Sequence, residues 1–443
     1  MLLKCFAARV SRSERCLCSM GNPRKTALNV LLKIVNDGAY SNIALSGELS
    51  NIDLSAQDKA LATAIIYGVL DRNITLEYIL KAYIKTPLKK VQPVTLMALK
   101  CALYQIMYMD KIPESAAVNE AVKIVKSSRE RHNAAFLNAV LRNILRSNIT
   151  LPDGDSVEEL SVKYSCPVWI IEGFVSDYGI ENTIALLSAS LEVPRVTLRT
   201  NTLKCTADEL VLALKSEGVR AHTSELSGAV SIDGNINISD NNCYKKGMFH
   251  VQDIASQTVA GILGAKQGER VLDMCASPGG KTFTIAQNME NAGEIVSCDL
   301  YEQRVGLIEK GARRLGLDIV KPTVCDATAF NSDLGLFDRI LCDVPCSGLG
   351  VIRRKPEIKY KPQNDFKELT GIQSAILNNA AKYLKTGGRI LYSTCTLRNA
   401  ENGAVVHAFL DKYKEYELEY EHTYMPHTDG TDGFYCALIQ KSR

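Results

Sequence analysis

The chain has 443 residues, of which 46% are hydrophobic and 23% charged, and it carries a formal net charge of +3. That balance excludes a disordered or fibrous protein and leaves room for two or three domains of ordinary size, while so slight a positive charge neither demands nor excludes a nucleic-acid partner. No apolar run is long enough to span a bilayer: even Ala60 to Val69 is short and lies between charged residues, so no membrane attachment is expected.

In chain order, residues 1–20 carry Arg9, Arg12 and Arg15 with little acid, a faint transit-peptide composition, whereas Met20 opens a segment that reads as a natural start. The stretch is expected to be a disordered extension or the product of a mis-assigned start. Residues 21–150 read as an all-helical domain, with apolar residues four apart at Leu61, Ile65 and Val69 and again at Phe136, Val140 and Ile144. Breaks at Asn36, Asp37 and Gly38, then at Pro87, Pro93 and Pro113, divide it into helices of ordinary length. Residues 151–245 mix helical patterns with short β-branched runs such as Arg195 to Leu198, which predicts a small α+β connector.

From 246 to 443, short apolar strands alternate with helical segments, the pattern of a mostly parallel sheet covered on both faces. The strand candidates are Arg270 to Met274, Glu294 to Asp299, Pro322 to Cys325, Asp338 to Asp343, Arg389 to Ser393 and Phe434 to Ile439. Open sheets of this kind gather their functional residues at the carboxyl ends of the strands. The fourteen cysteines show no metal-type spacing, Cys16 and Cys18 lying closest, so a reducing, cytoplasmic compartment is expected, and no metal site.

At the end of the first strand, Cys275-Ala276-Ser277-Pro278-Gly279-Gly280-Lys281 turns into a helix. Its glycines permit close backbone approach and the free N–H groups of the helix start can receive a polar or anionic group, which makes it a candidate cofactor loop, a plain strand-to-helix turn being the alternative. It lacks the Gly and Lys spacing of a triphosphate loop. Asp299 ends the next strand, where a carboxylate can accept from both ribose hydroxyls; capping the helix near Glu302 is the alternative. Asp326 follows the third strand and could meet the exocyclic amine of an adenine, or simply cap a turn.

Two further strand ends carry thiols: Asp343-Val344-Pro345-Cys346 and Ser393-Thr394-Cys395. A core cysteine would seldom recur at two such positions. Cytosine C5 is a poor nucleophile, but a thiolate adding to C6 makes the ring an enamine that can attack an electrophilic methyl group. Asp343 is the candidate to contact N3 as charge moves into the ring, and a second thiol has a use when the adduct is undone. The basic run Arg353-Arg354-Lys355 lies beside this crevice, where phosphate contact is expected; an unpaired RNA loop is the substrate whose base leaves its stack at least cost. A polar string, Asn399-Ala400-Glu401-Asn402, follows Cys395.

Taken together, these motifs resemble the Fmu/Sun family of bacterial 16S ribosomal RNA cytosine-C5 methyltransferases, in which a helical domain similar to the antitermination factor NusB precedes a Rossmann-like methyltransferase domain. The resemblance rests on the 273–282 loop, Asp343-Val344-Pro345-Cys346, Ser393-Thr394-Cys395, Asp432-Gly433-Phe434 and Gln252-Asp253, all in the family's order. It implies that Cys275 to Lys281, Asp299, Asp326 and Asp343 contact S-adenosylmethionine or its vicinity. It also implies that Cys395 is the nucleophile and Cys346 assists product release, an assignment that spacing alone leaves open. Small-subunit ribosomal RNA is the implied partner, the helical domain an RNA-docking module or an interface with the ribosomal particle, and a monomer is expected. Ala400 and Gly403 stand where the family pattern favours an acid-rich run, which touches the positioning of the target loop more than the thiol. Competing readings are methylation of transfer RNA by the same pocket and a non-catalytic RNA-binding factor; a dehydrogenase is disfavoured because no Gly-x-Gly-x-x-Gly follows the first strand.

Overall fold

The computed structural model describes residues 21–37, 45, 47–48, 52–234 and 236–442; the expectation for 1–20, and Gly38 at the first break, lie outside them. The chain divides into two compact units between Ile149 and Thr150. In the first, the described residues form helices α1 (Pro23–Asp37), α2 (Ala56–Asp71), α3 (Asn73–Tyr83), α4 (Pro93–Tyr108), α5 (Glu114–Lys126) and α6 (Ala134–Arg146). Ser55 caps α2 by accepting the Asp58 N–H at 3.1 Å, and Pro93 opens α4, where its missing N–H does no harm. Glu130 accepts the Val94 and Thr95 N–H groups at 3.1 and 2.7 Å, setting a carboxylate on the positive end of α4. The buried stripe of α6 runs Leu137, Val140, Leu141 and Ile144, with Phe136 left 38% exposed; the apolar face is one residue round from the four-apart pattern read in the sequence.

The second unit begins with α7 (Val157–Tyr164), fixed by a Ser156/Glu159 capping box, and α8 (Val168–Ser190), broken at Gly179 where φ is +78°. A four-stranded antiparallel sheet follows: β1 (Val196–Thr200), β2 (Ala221–Thr223), β3 (Ala229–Ile232) and β4 (Phe249–Val251), in the order β2-β3-β1-β4. Helix α9 (Ala207–Ser216) packs Leu210 and Leu214 against Leu198, Val230 and Ile232. β4 draws residues beyond 245 into this sheet.

The larger sheet comprises β5 (Arg270–Asp273), β6 (Glu294–Asp299), β7 (Val320–Val324), β8 (Phe337–Asp343), β9 (Leu384–Thr394), β10 (Tyr416–Tyr424) and β11 (Phe434–Lys441). Its order is β10-β11-β9-β8-β5-β6-β7, with β7 to β9 parallel and β11 antiparallel to both its neighbours. Helices α10 (Ile254–Ile262), α11 (Gly280–Asn288) and α12 (Glu302–Leu315) bury Val259, Phe283 and Ile308 on one face; α13 (Leu369–Tyr383) and α14 (Gly403–Lys412) bury Leu377 and Val406 on the other. Strand β10 escapes a sequence reading because it is an edge strand: most of its side chains face solvent, and Glu417, Glu419 and Glu421 interrupt any apolar pattern. Strand order reverses between β5 and β8, so their carboxyl ends open a crevice. Among the described residues no helix is long and apolar enough to cross a membrane.

Candidate active site

Most of what gathers in this crevice arrives at the carboxyl ends of parallel strands, with the turn before antiparallel β11 closing over it. On the β5 side, Gly279 has φ +108°, and a Cβ there would lie 2.3 Å from the Phe283 ring, so the turn into α11 requires glycine. Asp273, 1% exposed, accepts the Thr282 hydroxyl on Oδ2 at 2.6 Å, while Oδ1 is buried without a hydrogen-bond partner. Burial pushes its carboxyl up to about 7, against the Thr282 hydrogen bond. An orphaned buried acceptor of this kind suits a donor that the protein itself does not supply. Sequence reasoning passed over Asp273 as a site residue, although it stands at the strand end that opens the loop.

The other cofactor candidates line up along the same edge. Cys275 and Ser277 are half-buried, Ala276 and Gly279 buried and Pro278 exposed. Asp299 is 4% exposed; it accepts the Tyr301 N–H at 3.2 Å and faces Arg304 at 3.4 Å, so it caps the turn while remaining at the crevice. Asp326 is exposed, and its Oδ1 takes both the N–H and the hydroxyl of Thr328, at 2.9 and 2.6 Å, which is the turn-capping alternative. Lys281 points away from this edge. Its ammonium donates to Asp343 Oδ2 at 2.7 Å and lies 4.6 Å from the centre of the Phe434 ring.

The β8 and β9 ends bring the two thiols to a sulfur-to-sulfur distance of 3.3 Å, although they are 49 positions apart in the chain. Neighbouring parallel strands in register explain this: Asp343 pairs with Ser393, so the loops leaving them run side by side. The Ser393 hydroxyl donates to Asp343 Oδ1 at 2.9 Å, filling the second carboxylate oxygen. Ser347 and Thr396 hydroxyls meet at 2.7 Å, and the Gly350 N–H donates to the Cys395 carbonyl at 3.0 Å. A Cβ on Gly350 would fall 2.0 Å from the Gly433 carbonyl oxygen, so this packing against Asp432-Gly433-Phe434 excludes any side chain.

The hydrogen bond from Cys346 holds the Cys395 thiol below the ordinary thiol range; burial and Asp343 oppose this, and Lys281 and Lys355 assist. Cys346 moves the opposite way, far upward, because it shares its proton with Cys395, is buried and faces Glu401. The hydrogen bond between the two sulfurs is the main cause of both shifts: it favours the thiolate at Cys395 and the protonated thiol at Cys346, and Lys281, Lys355 and Glu401 add to the same directions.

The basic run departs from the expectation of three cations facing phosphate. Arg353, whose side chain is 8% exposed, donates to Asp432 Oδ1 at 2.6 Å; Arg354 is bound by the other oxygen of Asp432 and by Asp253 at 3.0 Å. The turn before β11 folds over this loop and neutralises both guanidinium groups, leaving Lys355 as the exposed cation of the three. Asp432 and Asp253 belong to motifs visible in the sequence, but nothing in their spacing pairs them with these arginines. Among the described residues, no group of three metal-ligating side chains occurs.

Comparison with known proteins matches residues 260–440 to a family model described as 16S rRNA methyltransferase RsmB/F, 166–239 to the ferredoxin-like domain of the same methyltransferases, and 21–146 to the NusB family. A probable ribosomal RNA small subunit methyltransferase B of Bacillus subtilis is 38% identical, over 94% of this chain and 98% of its own length. The chain belongs to the ribosomal RNA small subunit methyltransferase B family. A second member, from Vibrio vulnificus, is 33% identical over 95% of this chain and 99% of its own. The crystal structure of PH0851 shares the fold with a TM-score of 0.82 and 26% identity, covering 96% of this chain and 99% of that one. The chain accordingly combines the NusB-like helical domain and the Rossmann-like domain that the resemblance implied; the expected α+β connector matches a ferredoxin-like domain, and the larger sheet, expected to be mostly parallel, is mixed.

Proposed function

We propose that the protein transfers a methyl group from S-adenosylmethionine to C5 of a cytosine in small-subunit (16S) ribosomal RNA, through a covalent bond between Cys395 Sγ and C6. The observation that carries this reading is the thiol pair 3.3 Å apart beside the Lys281–Asp343 pair, at the ends of adjacent strands. S-adenosylmethionine supplies an electrophilic methyl group when bound. The residues fit it: Asp273 with its unpartnered oxygen, the 275–281 turn built on Gly279, and Asp299 at the next strand end are the groups that would hold it, with Asp326 at the outer edge.

The chemistry of the remaining residues follows from their charges. Cys395, favoured as thiolate by Cys346 and two lysines, adds to C6: its electron pair becomes the sulfur–carbon bond, and the ring's C5–C6 double-bond electrons shift through C4 toward N3. Asp343, with Lys281 hydrogen-bonded to one oxygen, is the acidic partner for the ring at N3. Once C5 carries the methyl group its proton leaves, the ring double bond re-forms and Cys395 departs, with Cys346 beside it to receive the sulfur as a hydrogen-bond acceptor. The exposed Lys355 is read as a backbone contact to RNA, and the helical domain, 21–150, as its docking module; the protein is expected to act in the cytoplasm as a monomer.

The test is transfer of labelled methyl to purified small-subunit RNA, with the modified nucleoside identified by mass spectrometry, for wild type and Cys395→Ala. 5-Methylcytidine with wild type and none with the variant supports the reading. Activity on transfer RNA instead of ribosomal RNA corrects the substrate, and intact activity in Cys395→Ala removes the mechanism.

A further inference from the structure

One buried charge beside the thiols has no part in the chemistry just described. Glu401 is 0% exposed, and its Oε2 accepts the Ser347 N–H at 2.8 Å and the Gln373 side-chain amide at 3.0 Å. The same Gln373 amide donates to the Pro345 carbonyl at 3.0 Å. The residues immediately before and after Cys346 are therefore both held, one through Gln373 and the other by the carboxylate directly. Glu401 is itself anchored to the other thiol's strand: the Tyr392 hydroxyl donates to its backbone carbonyl at 2.6 Å, three positions before Cys395. Among the described residues its cationic partner is Arg398, 3.3 Å from Oε1.

A fully buried carboxylate with mostly neutral partners is unfavourable unless its charge is used, since burial of an ion costs several kcal/mol. A glutamine would make the same bond to the Ser347 N–H. What it would not supply is negative charge next to Cys346. We propose that Glu401 is a positioning residue for product release: its bracket and its charge keep Cys346 as the donor of the thiol pair, aimed at Cys395, so that Cys395 leaves C6 into a ready hydrogen bond.

The inference rests on Cys395 being the nucleophile. In the step concerned, the C5–H bond breaks and its proton passes to water, the C5–C6 double bond forms, and the Cys395 Sγ–C6 bond breaks with its electron pair remaining on sulfur. Cys346 keeps its proton throughout and donates a hydrogen bond. The groups facing the two sulfurs agree with this division. Glu401, Tyr392 and Cys395 surround Cys346, whereas Cys395 has Lys281, Lys355 and Asp343 about it in addition to Cys346.

The experiment compares wild type with Glu401→Gln, which keeps size and the bond to Ser347, and with Glu401→Ala. Two readouts are taken: the covalent protein–RNA complex, resolved into its rates of formation and decay, and alkylation of Cys346 by iodoacetamide against pH in the RNA-free protein, followed by peptide mass spectrometry. In Glu401→Gln, decay of the complex slows about tenfold while its formation changes by less than about twofold, and Cys346 alkylates about tenfold faster at mildly alkaline pH. Equal slowing of formation and decay would mean a structural role only and overturns the proposal. So does an unchanged alkylation profile, whatever the RNA assay gives. A wild-type protein that makes no 5-methylcytidine fails the catalytic reading, and this inference with it, whereas the alkylation arm alone can sink the inference while that reading stands.

Discussion

Beside the hydrogen-bonded pair Cys346 and Cys395, the Rossmann-like sheet carries, among the described residues, a second pair of neighbouring thiols, Cys298 and Cys325. Cys346 and Cys395 leave β8 and β9, whereas Cys298 and Cys325 lie at the ends of β6 and β7. In each pair one thiol is pushed up and the other down, and the hydrogen bond from Cys298 brings Cys325 down to about 7. By the measure of thiolate character alone, Cys325 looks as reactive as Cys395. What separates them is the surroundings. Cys395 has Lys281 and Lys355 near it and the Asp343 carboxylate within the same crevice; the charged group that acts on Cys325 is Asp326, which opposes ionisation. A depressed thiol becomes a catalytic one only where groups for the substrate's charge stand beside it.

The largest test of this contrast is Cys395→Ala, for which methyl transfer and covalent complex should both fall by about a thousandfold or more. Cys346→Ala should slow decay of the covalent complex more than its formation, so that the complex accumulates on a denaturing gel, with turnover lower by about a hundredfold; a Cys346 variant that turns over normally would dissolve the distinction between the two sulfurs. Lys281→Met removes the cation beside Cys395, and about a tenfold loss of complex formation is expected, together with a rise of its pH midpoint toward the ordinary thiol value. In wild type that rate should climb with pH through a midpoint below the ordinary thiol value, because the thiolate is the attacking form.

Smaller effects sharpen the cofactor side. The Asp273 carboxyl is raised in the folded protein, so its contribution to stability is present at low pH and is lost as pH rises through about 7. The melting temperature of ligand-free wild type should therefore fall relative to Asp273→Asn between about pH 5 and pH 8, and a constant difference would show that the carboxyl titrates normally. Cys325→Ser should change methyl transfer by less than about twofold, while wild-type Cys325 alkylates with a midpoint near 7 that RNA does not alter. Protection of Cys325 by RNA would place it in the substrate path and erase the comparison.

Much of the site was legible because strand ends are legible. An apolar run that stops at an acid or a thiol, as at Asp299, Asp343 and Cys395, marks a position at the mouth of an open sheet, and all three lie there. Side-chain partnership was not legible. Lys281 reads as part of a cofactor loop, yet its four-carbon stem carries the charge across to Asp343. Arg353 and Arg354 read as surface cations, yet the turn at Asp432, far along the chain, closes on both. Glu401 was part of a polar string with no evident task.

The sequence by itself determined the alternation of strands and helices that leads to the site, the two motifs that carry thiols, and the glycine-built turn at Gly279, because each depends on residues close together in the chain. The tertiary structure decided which of those features meet. Pairing β8 with β9 brings two sulfurs within 3.3 Å, and the long-range contacts of Lys281, Asp432 and Glu401 set the charge around them. Those contacts join positions 54 to 79 residues apart in sequence, where no local pattern constrains the partner and only burial and charge balance select it.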